Sequence, residues 1–319
     1  MRSSEVLVTG GAGFIGSNLV ERLIMNGFTV TVLDDLSTGK LENLEELRNR
    51  FTFIKGDVRD AKVTRKAAEG KDAVFHMAAI ASIERSVQDP STVEEVNVIG
   101  TLNLLKASVE CGVRRFIYPS SCSVYGEAKK IPIDESSPKC PISPYAISKL
   151  AAENYCSVFH KLFGLGTVSL RFFNVYGPRQ AYGPYCGVIT NFMERLMRNE
   201  NLIIHGDGEQ TRDFINVRDA VESCILAMES KDATGEVFNI GSGKATSINE
   251  LARMMIQISG IKVGRVHSAA RKGDIRHICS DISKSRAILG FEPKITLEQG
   301  LKDLFERMKI LGKSENHPT

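Results

Sequence analysis

Apolar and polar positions in this chain follow two periods, and the switch between them comes early. Val6-Leu7-Val8 is a short continuous apolar run. From Phe14 onward, Phe14, Ile15, Leu19, Leu23 and Ile24 recur at helical spacing. A second apolar run, Phe28 to Leu33, ends in Asp34. Between the first run and the helix lie Gly10, Gly11, Gly13 and Gly16. Strand, glycine turn, helix, strand is the pattern of a dinucleotide-binding unit. Glycines let the backbone turn tightly and approach a pyrophosphate, and a helix N-terminus offers that anion unpaired N–H groups and partial positive charge. Asp34 follows Gly16 by eighteen residues, where a carboxylate can accept hydrogen bonds from a ribose.

The alternation continues. Strands are expected at Phe51 to Lys55, Ala73 to Met77, Arg115 to Pro119 and Thr167 to Phe172, with helices between them, notably Thr92 to Glu110 and Tyr145 to Phe163. Such alternation predicts an α/β protein with a doubly wound parallel sheet of Rossmann type, covered on both faces. After about residue 172 the rhythm loosens. Segment 174–187, rich in Gly, Pro and Tyr, reads as a loop. Helices are expected at 187–198, 217–229, 247–259 and 296–310, with short strands at 202–205 and 236–240. The expected division is a nucleotide-binding domain over 1–172 and a smaller α/β lobe over 173–319, with about 213–241 returning to the first domain.

Composition narrows the function classes. The chain has 319 residues, 42% apolar and 25% charged, as in ordinary soluble globular proteins. A net charge of +3 with interspersed signs gives no reason to expect nucleic acid as a partner. No apolar stretch approaches the ~20 residues that span a bilayer, so no membrane partner is expected. The first strand begins by residue 5, which leaves no room for a signal peptide. Seven cysteines without a paired C-x-x-C, and six histidines without ligand spacing, point to a reducing cytoplasm and to no metal site.

Two clusters carry candidate chemistry. Tyr145 and Lys149 form Y-x-x-x-K, an i,i+4 pair on one helix face. An ammonium and a nicotinamide cation beside a phenol lower its pKa, which would make Tyr145 a general base near neutral pH. Ser121, in PSSCSVYG just after the fifth strand, either holds a reacting oxygen or caps the loop.

TGGAGFIG, GDVRD, HMAA, SSCSVYG, YAISK and RFFNVYGPRQ occur in order, followed by GDGEQTRDFINVRD and RKGDIRHICSDISKS. In these motifs the chain resembles the extended short-chain dehydrogenase/reductase family, and most closely its UDP-sugar 4-epimerases of the UDP-glucose/UDP-galactose type. The resemblance covers nearly the whole chain. It implies an isomerase that keeps NAD bound. Tyr145 takes the proton of the sugar's 4-hydroxyl while hydride passes from C4 to NAD. The 4-keto sugar then turns over, and the hydride returns to its other face. Ser121 holds the 4-oxygen, Ser123 lies within reach of the sugar, and Lys149 bonds the nicotinamide ribose.

The same resemblance places Gly10, Gly13 and Gly16, with the backbone of Phe14 and Ile15, along the pyrophosphate. Asp34 takes the adenosine ribose, with Asp35 its neighbour, and their charge favours NAD over NADP. Asp57 and Val58 resemble an adenine-contacting pair, although Asp57 also reads as a turn carboxylate. Ala78, Ala79 and Asn97 lie along the cofactor, and Asn97 reads equally as a cap inside its helix. One departure is Ala81, where some relatives carry a cofactor-contacting Lys; Arg85 is the candidate substitute. For the substrate, Asn174, Arg212 and Arg271 match residues that hold the nucleotide diphosphate. Asp274 matches one on the uridine ribose, and Val188 opens the helix that approaches the nucleotide. Arg179 is a weaker candidate, and Arg271 beside Lys272 also reads as a solvated pair. Dehydratase and decarboxylase relatives need an extra acid after the serine pair, whereas no carboxylate occurs between Ser120 and Gly126. A non-catalytic nucleotide-binding protein on the same fold is the alternative of another class. Ile278 stands where a bulky residue favours plain hexoses and a small one admits N-acetyl sugars, so both sugar pairs stay open, plain hexoses first. Relatives dimerise through two helices, here 92–110 and 145–163, and a homodimer is expected.

Overall fold

A computed structural model describes residues 4–181, 187–270 and 275–314 of the chain. Its first strands are β1 (Glu5–Thr9), β2 (Thr29–Asp34), β3 (Phe51–Lys55) and β4 (Ala73–His76). β5 (Arg115–Ser121), β6 (Gly166–Phe172) and, much later, β10 (Val237–Ile240) complete a seven-stranded sheet in the order β3-β2-β1-β4-β5-β6-β10. Every pairing is parallel. The chain runs outward from β1 to β3, then crosses back to β4. The switch point therefore lies between β1 and β4, where ligands bind beyond the strands' carboxyl ends. This is the Rossmann-type α/β sheet that the alternation predicts.

Helices cover both faces. α1 (Phe14–Met25) and α8 (Val217–Glu229) bury Leu19, Val20, Leu23, Val221 and Ile225 against Val6, Val8 and Val32. On the other face Ala67 of α2 (Ala61–Ala68), Leu104 and Leu105 of α5 (Gly100–Glu110), and Ala152 and Phe159 of α6 (Pro144–Phe163) pack on Leu7, Val74 and Phe116. Strands buried on both faces read as continuous apolar runs, which is why this sheet is visible in the sequence.

The helix expected over 92–110 is more complicated. A short helix α3 (Ile83–Gln88) precedes α4 (Pro90–Glu94), which Asp89 caps through Thr92 N at 3.1 Å. A π-helical turn, Glu95–Ile99, joins α4 to α5. Asn97 sits inside that turn and is 1% exposed.

The second lobe has its own core. β7 (Asn174–Tyr176) and β9 (Thr211–Asn216) pair in parallel, and β11 (Ala245–Ser247) joins β9 antiparallel. β8 (Leu202–His205) pairs with β12 (Arg265–Ser268). Phe192 and Leu196 of α7 (Val188–Met197), Leu251 and Met255 of α9 (Ile248–Ser259), and Leu301 and Phe305 of α11 (Leu297–Ser314) fill the space beside these strands. α10 (Ser283–Leu289) packs back on the first sheet, with Leu289 in its core. A small apolar cluster of Val124, Tyr125, Ile133, Phe173 and Ile278 closes the seam between the lobes.

β7, β9, β11 and β12 were not among the expected strands. β7 falls in the segment read as a loop, because three residues flanked by Gly and Pro are too few to show a period. Among the described residues no helix is long and apolar enough to cross a membrane.

Candidate active site

The cofactor groove begins at the end of β1. Gly10 has φ +64°, and a Cβ there would meet Ala78 N at 2.6 Å. A Cβ on Gly16 would strike Gly10 O. The glycines thus let the turn after β1, the start of α1 and the segment after β4 approach backbone to backbone. Gly13 caps α1 without a side-chain acceptor, so the helix presents its N-terminal amides to the groove. The carboxylate of Asp34, 6% exposed, accepts from Ala12 N at 2.9 Å and Leu36 N at 2.8 Å. Burial raises its pKa, and those two amides oppose the rise. Asp34 therefore locks the glycine loop as well as facing the groove, and its remaining lone pairs suit a ribose diol. Asp35 is exposed and accepts from Ser37 N and Oγ, at 2.8 and 2.7 Å. An uncapped helix start, glycine walls and a carboxylate at the end of β2 fit a dinucleotide.

Two expected cofactor contacts are otherwise engaged. Arg59 holds the carboxylate of Asp57 at 2.6 and 2.9 Å, and that pairing keeps its pKa low. The turn reading of Asp57 is the one this geometry favours, while Val58 is buried beside it. Asn97 uses both ends of its amide inside the protein. Its Oδ1 accepts from Ile80 N at 2.8 Å, and its Nδ2 donates to Ile80 O and Ser148 Oγ, both at 3.0 Å. Asn97 consequently shapes the 77–80 segment, where Ala78 and Ala79 are half-buried, rather than offering a free group of its own.

The catalytic candidates converge where β5 meets α6. Ser121 is the last residue of β5, not the first of the loop, and its Oγ receives Ser123 N at 3.2 Å and Ser123 Oγ at 2.9 Å. It therefore caps the turn Cys122–Tyr125 and also hydrogen-bonds with Tyr145. α6 starts with Ser143 capping Ala146 N at 3.2 Å and Pro144 in the first turn. That start puts Lys149 and Cys156 on the buried face, with Tyr145 half-buried one turn before Lys149.

The lowering expected for the Tyr145 phenol calls for an ammonium and a nicotinamide cation together, and the protein's own groups act the other way. Burial pushes its pKa up to about 12, against the hydrogen bond from Ser121. The lysine charge is held by other groups. Lys149 Nζ donates to Pro119 O at 2.7 Å and lies 4.9 Å from the Tyr118 ring centroid. Burial brings the ammonium down to about 8. The protein alone thus holds Tyr145 as a neutral phenol, and a further positive charge is needed to favour phenolate.

On the second lobe, Asn174 Nδ2 donates to Asp213 O at 3.3 Å. Arg212 is half-buried, bonds Thr211 O at 2.7 Å, and acts electrostatically on the Cys122 thiol next to Ser121. It therefore faces the site. Val188 opens α7 behind Gly187, which has no side-chain cap to offer. Arg179 is paired with Glu21 of α1 at 2.7 Å. Arg271 and Asp274 lie outside the described residues. Among the described residues no cluster of His, Cys, Asp or Glu could hold a metal. Sequence reasoning gave no role to Thr9, His76, Thr101, Ser148, Glu153 and Arg171: four of them lie inside the quoted motifs, but their partners are distant in the chain and only the fold shows them.

Comparison with known proteins agrees with this geometry. The NAD dependent epimerase/dehydratase family matches residues 6–241. A UDP-glucose 4-epimerase from Mycolicibacterium smegmatis is 40% identical over 306 residues, which is 95% of this chain and 97% of that protein. A crystal structure of UDP-glucose 4-epimerase from Thermotoga maritima, with UDP-glucose, superposes with a TM-score of 0.92 at 41% identity, covering 96% of this chain and 99% of that one. A UDP-N-acetylglucosamine 4-epimerase from Methanobrevibacter ruminantium, in complex with UDP-N-acetylmuramic acid, gives 0.93 at 38% identity, covering 98% and 100%. The chain belongs to the NAD-dependent epimerase/dehydratase family, within the extended short-chain dehydrogenases/reductases, and is an epimerase-type isomerase.

Proposed function

We propose that the enzyme inverts C4 of a UDP-sugar, UDP-glucose/UDP-galactose first and the N-acetylated pair second, through a transient 4-keto sugar. The observation that carries this reading is the meeting of Ser121, Tyr145 and Lys149 beside the glycine groove, on a turn that holds no carboxylate. A dehydratase needs a proton donor for a leaving hydroxyl. Here Cys122, Ser123 and Val124 occupy the positions that would supply one.

Tyr145 removes the proton of the 4-hydroxyl and later returns one to the inverted alcohol. Ser121 Oγ holds the same oxygen through both steps. When bound, NAD supplies a hydride acceptor that gives the hydride back, and a cationic ring that favours the tyrosinate. Lys149 uses one N–H on Pro119 O and keeps two for a ribose. Gly10, Gly13, Gly16, Phe14, Ile15 and Asp34 would hold the dinucleotide, with Ala78 and Ala79 as a wall. Asn174, Val188, Arg212, Arg271 and Asp274 would hold the uridine diphosphate, and Ser123 the sugar. Ile278 is 6% exposed in the seam cluster and limits the sugar's far side. A branched aliphatic there is between the bulky residue that favours plain hexoses and the small one that admits N-acetyl sugars, so both pairs stay within the reading.

Ile99, Ile147, Tyr155, Val158, Leu162 and Phe163 are exposed along the π-turn and α6. Burying that stripe against a second copy would form a homodimer. Assaying UDP-glucose, UDP-N-acetylglucosamine and UDP-glucuronic acid side by side tests the reading. C4 inversion of one or both of the first two is expected. Inversion of glucuronate alone, or loss of water or carbon dioxide, would contradict it.

A further inference from the structure

The proposed chemistry gives no task to a titratable side chain buried at the switch point. His76, 1% exposed, ends β4 at the switch point. Its Nδ1 is 2.7 Å from Thr9 Oγ1, and its Nε2 is 2.9 Å from Thr101 Oγ1. The neighbours settle the direction of every bond. Thr9 Oγ1, which also accepts from Ala78 N at 3.2 Å, donates to His76 Nδ1 once the ring proton sits on Nε2, as Thr101 requires. Thr101 Oγ1 donates to Asn97 O at 2.6 Å, so it accepts from His76 Nε2–H. Only this tautomer satisfies all four groups.

The chain does not stop at Asn97. That residue sits in the π turn, grips Ile80 from both sides and donates to Ser148 Oγ. Ser148 Oγ donates in turn to the backbone carbonyl of Tyr145 at 2.8 Å. Ala78 also lies at the other end, against the missing Cβ of Gly10. A series of buried and part-buried hydrogen bonds, carried across Asn97 from its carbonyl to its side chain, therefore ties the glycine loop, the 77–80 wall, the π turn and the helix that carries the phenol. Burial, with the Lys149 charge nearby, keeps the imidazole neutral at about 3, so it retains one donor and one acceptor. No aliphatic or aromatic side chain of that size could join the two threonines. π turns inside α-helices are costly insertions that recur where a side chain must be re-aimed.

We propose that His76 is a positioning residue: through Thr9, Thr101, Asn97 and Ser148 it fixes the spacing between the cofactor wall and Tyr145. This rests on the epimerase reading for its kinetic half only. A misplacement on the order of 1 Å between reacting groups can cost about a hundredfold in rate.

The test uses His76→Phe, Thr101→Val and Thr101→Ser, with kcat, KM and NAD retained after gel filtration measured for each. His76→Phe and Thr101→Val should each lower kcat on the order of tenfold or more, with KM changed about twofold at most, and both should shed NAD. The double variant should be no worse than the poorer single, because both break one series. Thr101→Ser keeps the hydroxyl and should behave as wild type. If His76→Phe does not fold, the Thr101→Val and Thr101→Ser pair still decides. Wild-type kcat and NAD retention in folded Thr101→Val, losses that multiply in the double variant, or a lower Tm alone would overturn the proposal. A wild type that inverts no UDP-sugar would refute the activity reading instead, and NAD retention across the variants would still decide this one.

Discussion

Two buried polar networks flank the Tyr145–Lys149 line of α6, and they differ in kind. On the Ser148 side every member is neutral: two threonines, an imidazole, an asparagine and a serine. On the Glu153 side the centre is an ion pair. Arg171, 2% exposed, meets Glu153, 4% exposed, at 2.5 Å, with a second bond at 3.0 Å. Ser120 donates to Glu153 at 2.7 Å, Arg171 donates to Tyr125 OH at 2.7 Å, and Tyr125 donates to Asn239 at 2.6 Å. The neutral network joins parts that must keep a distance for the reaction. The ionic one joins β5, β6, α6 and β10, which must stay together for the fold. Removing one buried charge strands the other, whereas interrupting the neutral series leaves no net charge behind.

The largest effect should come from the ionic side. Glu153→Gln should destabilise the protein by ~3–5 kcal/mol, because the Arg171 guanidinium loses its counter-charge. Replacing both, as Glu153→Gln with Arg171→Met, should recover most of that loss in urea unfolding. A Glu153→Gln variant as stable as wild type would dissolve the contrast. Next is the residue between the two networks. Tyr145→Phe should cut turnover by more than about a hundredfold and leave nucleotide-sugar affinity within about twofold. Near-normal turnover would remove Tyr145 as the base.

Lys149 sharpens the comparison, because it is a charge without an ionic partner. Its fall from 10.5 to about 8 corresponds to ~3 kcal/mol of burial cost at pH 7. Between pH 8 and 10.5 the unfolded chain binds more protons at this site than the folded one, so folded stability rises with pH there. Lys149→Met should therefore raise Tm at pH 7 while abolishing activity, and its advantage should shrink across that window. An advantage that stays constant with pH would contradict the buried-charge account. The smallest effect belongs to the seam. Ile278→Tyr should lower activity on the N-acetylated pair relative to the plain pair by about tenfold, the scale of a few methylenes in a pocket. An unchanged ratio would place the sugar elsewhere.

These networks also mark how far the sequence could be read. β1 to β6, α1 and α6 are legible because they rest on local signals: apolar runs, helical spacing and glycines beside a helix start. The second lobe is less so. β7, β11 and β12 have three or four residues each, and β12 is exposed throughout, so no period develops. The π turn is equally hidden, because Glu95 to Ile99 looks like any helical stretch. Thr9, His76 and Thr101 are far apart in sequence, as are Glu153 and Arg171, so only the folded chain brings them together. How the Lys149 ammonium is held is hidden for a related reason. Sequence spacing puts Lys149 on the same face as Tyr145 but does not show that its ammonium turns to Pro119.

The most direct test of the central claim is isotopic. The purified enzyme, with no nucleotide added, would be given UDP-glucose carrying deuterium at C4, and the UDP-galactose formed would be examined by mass spectrometry and NMR. Full retention of the label at C4 is the predicted result, because the hydride leaves and returns within one site. Loss of the label to solvent, or no inversion of any UDP-sugar by protein shown to contain NAD, would contradict the account.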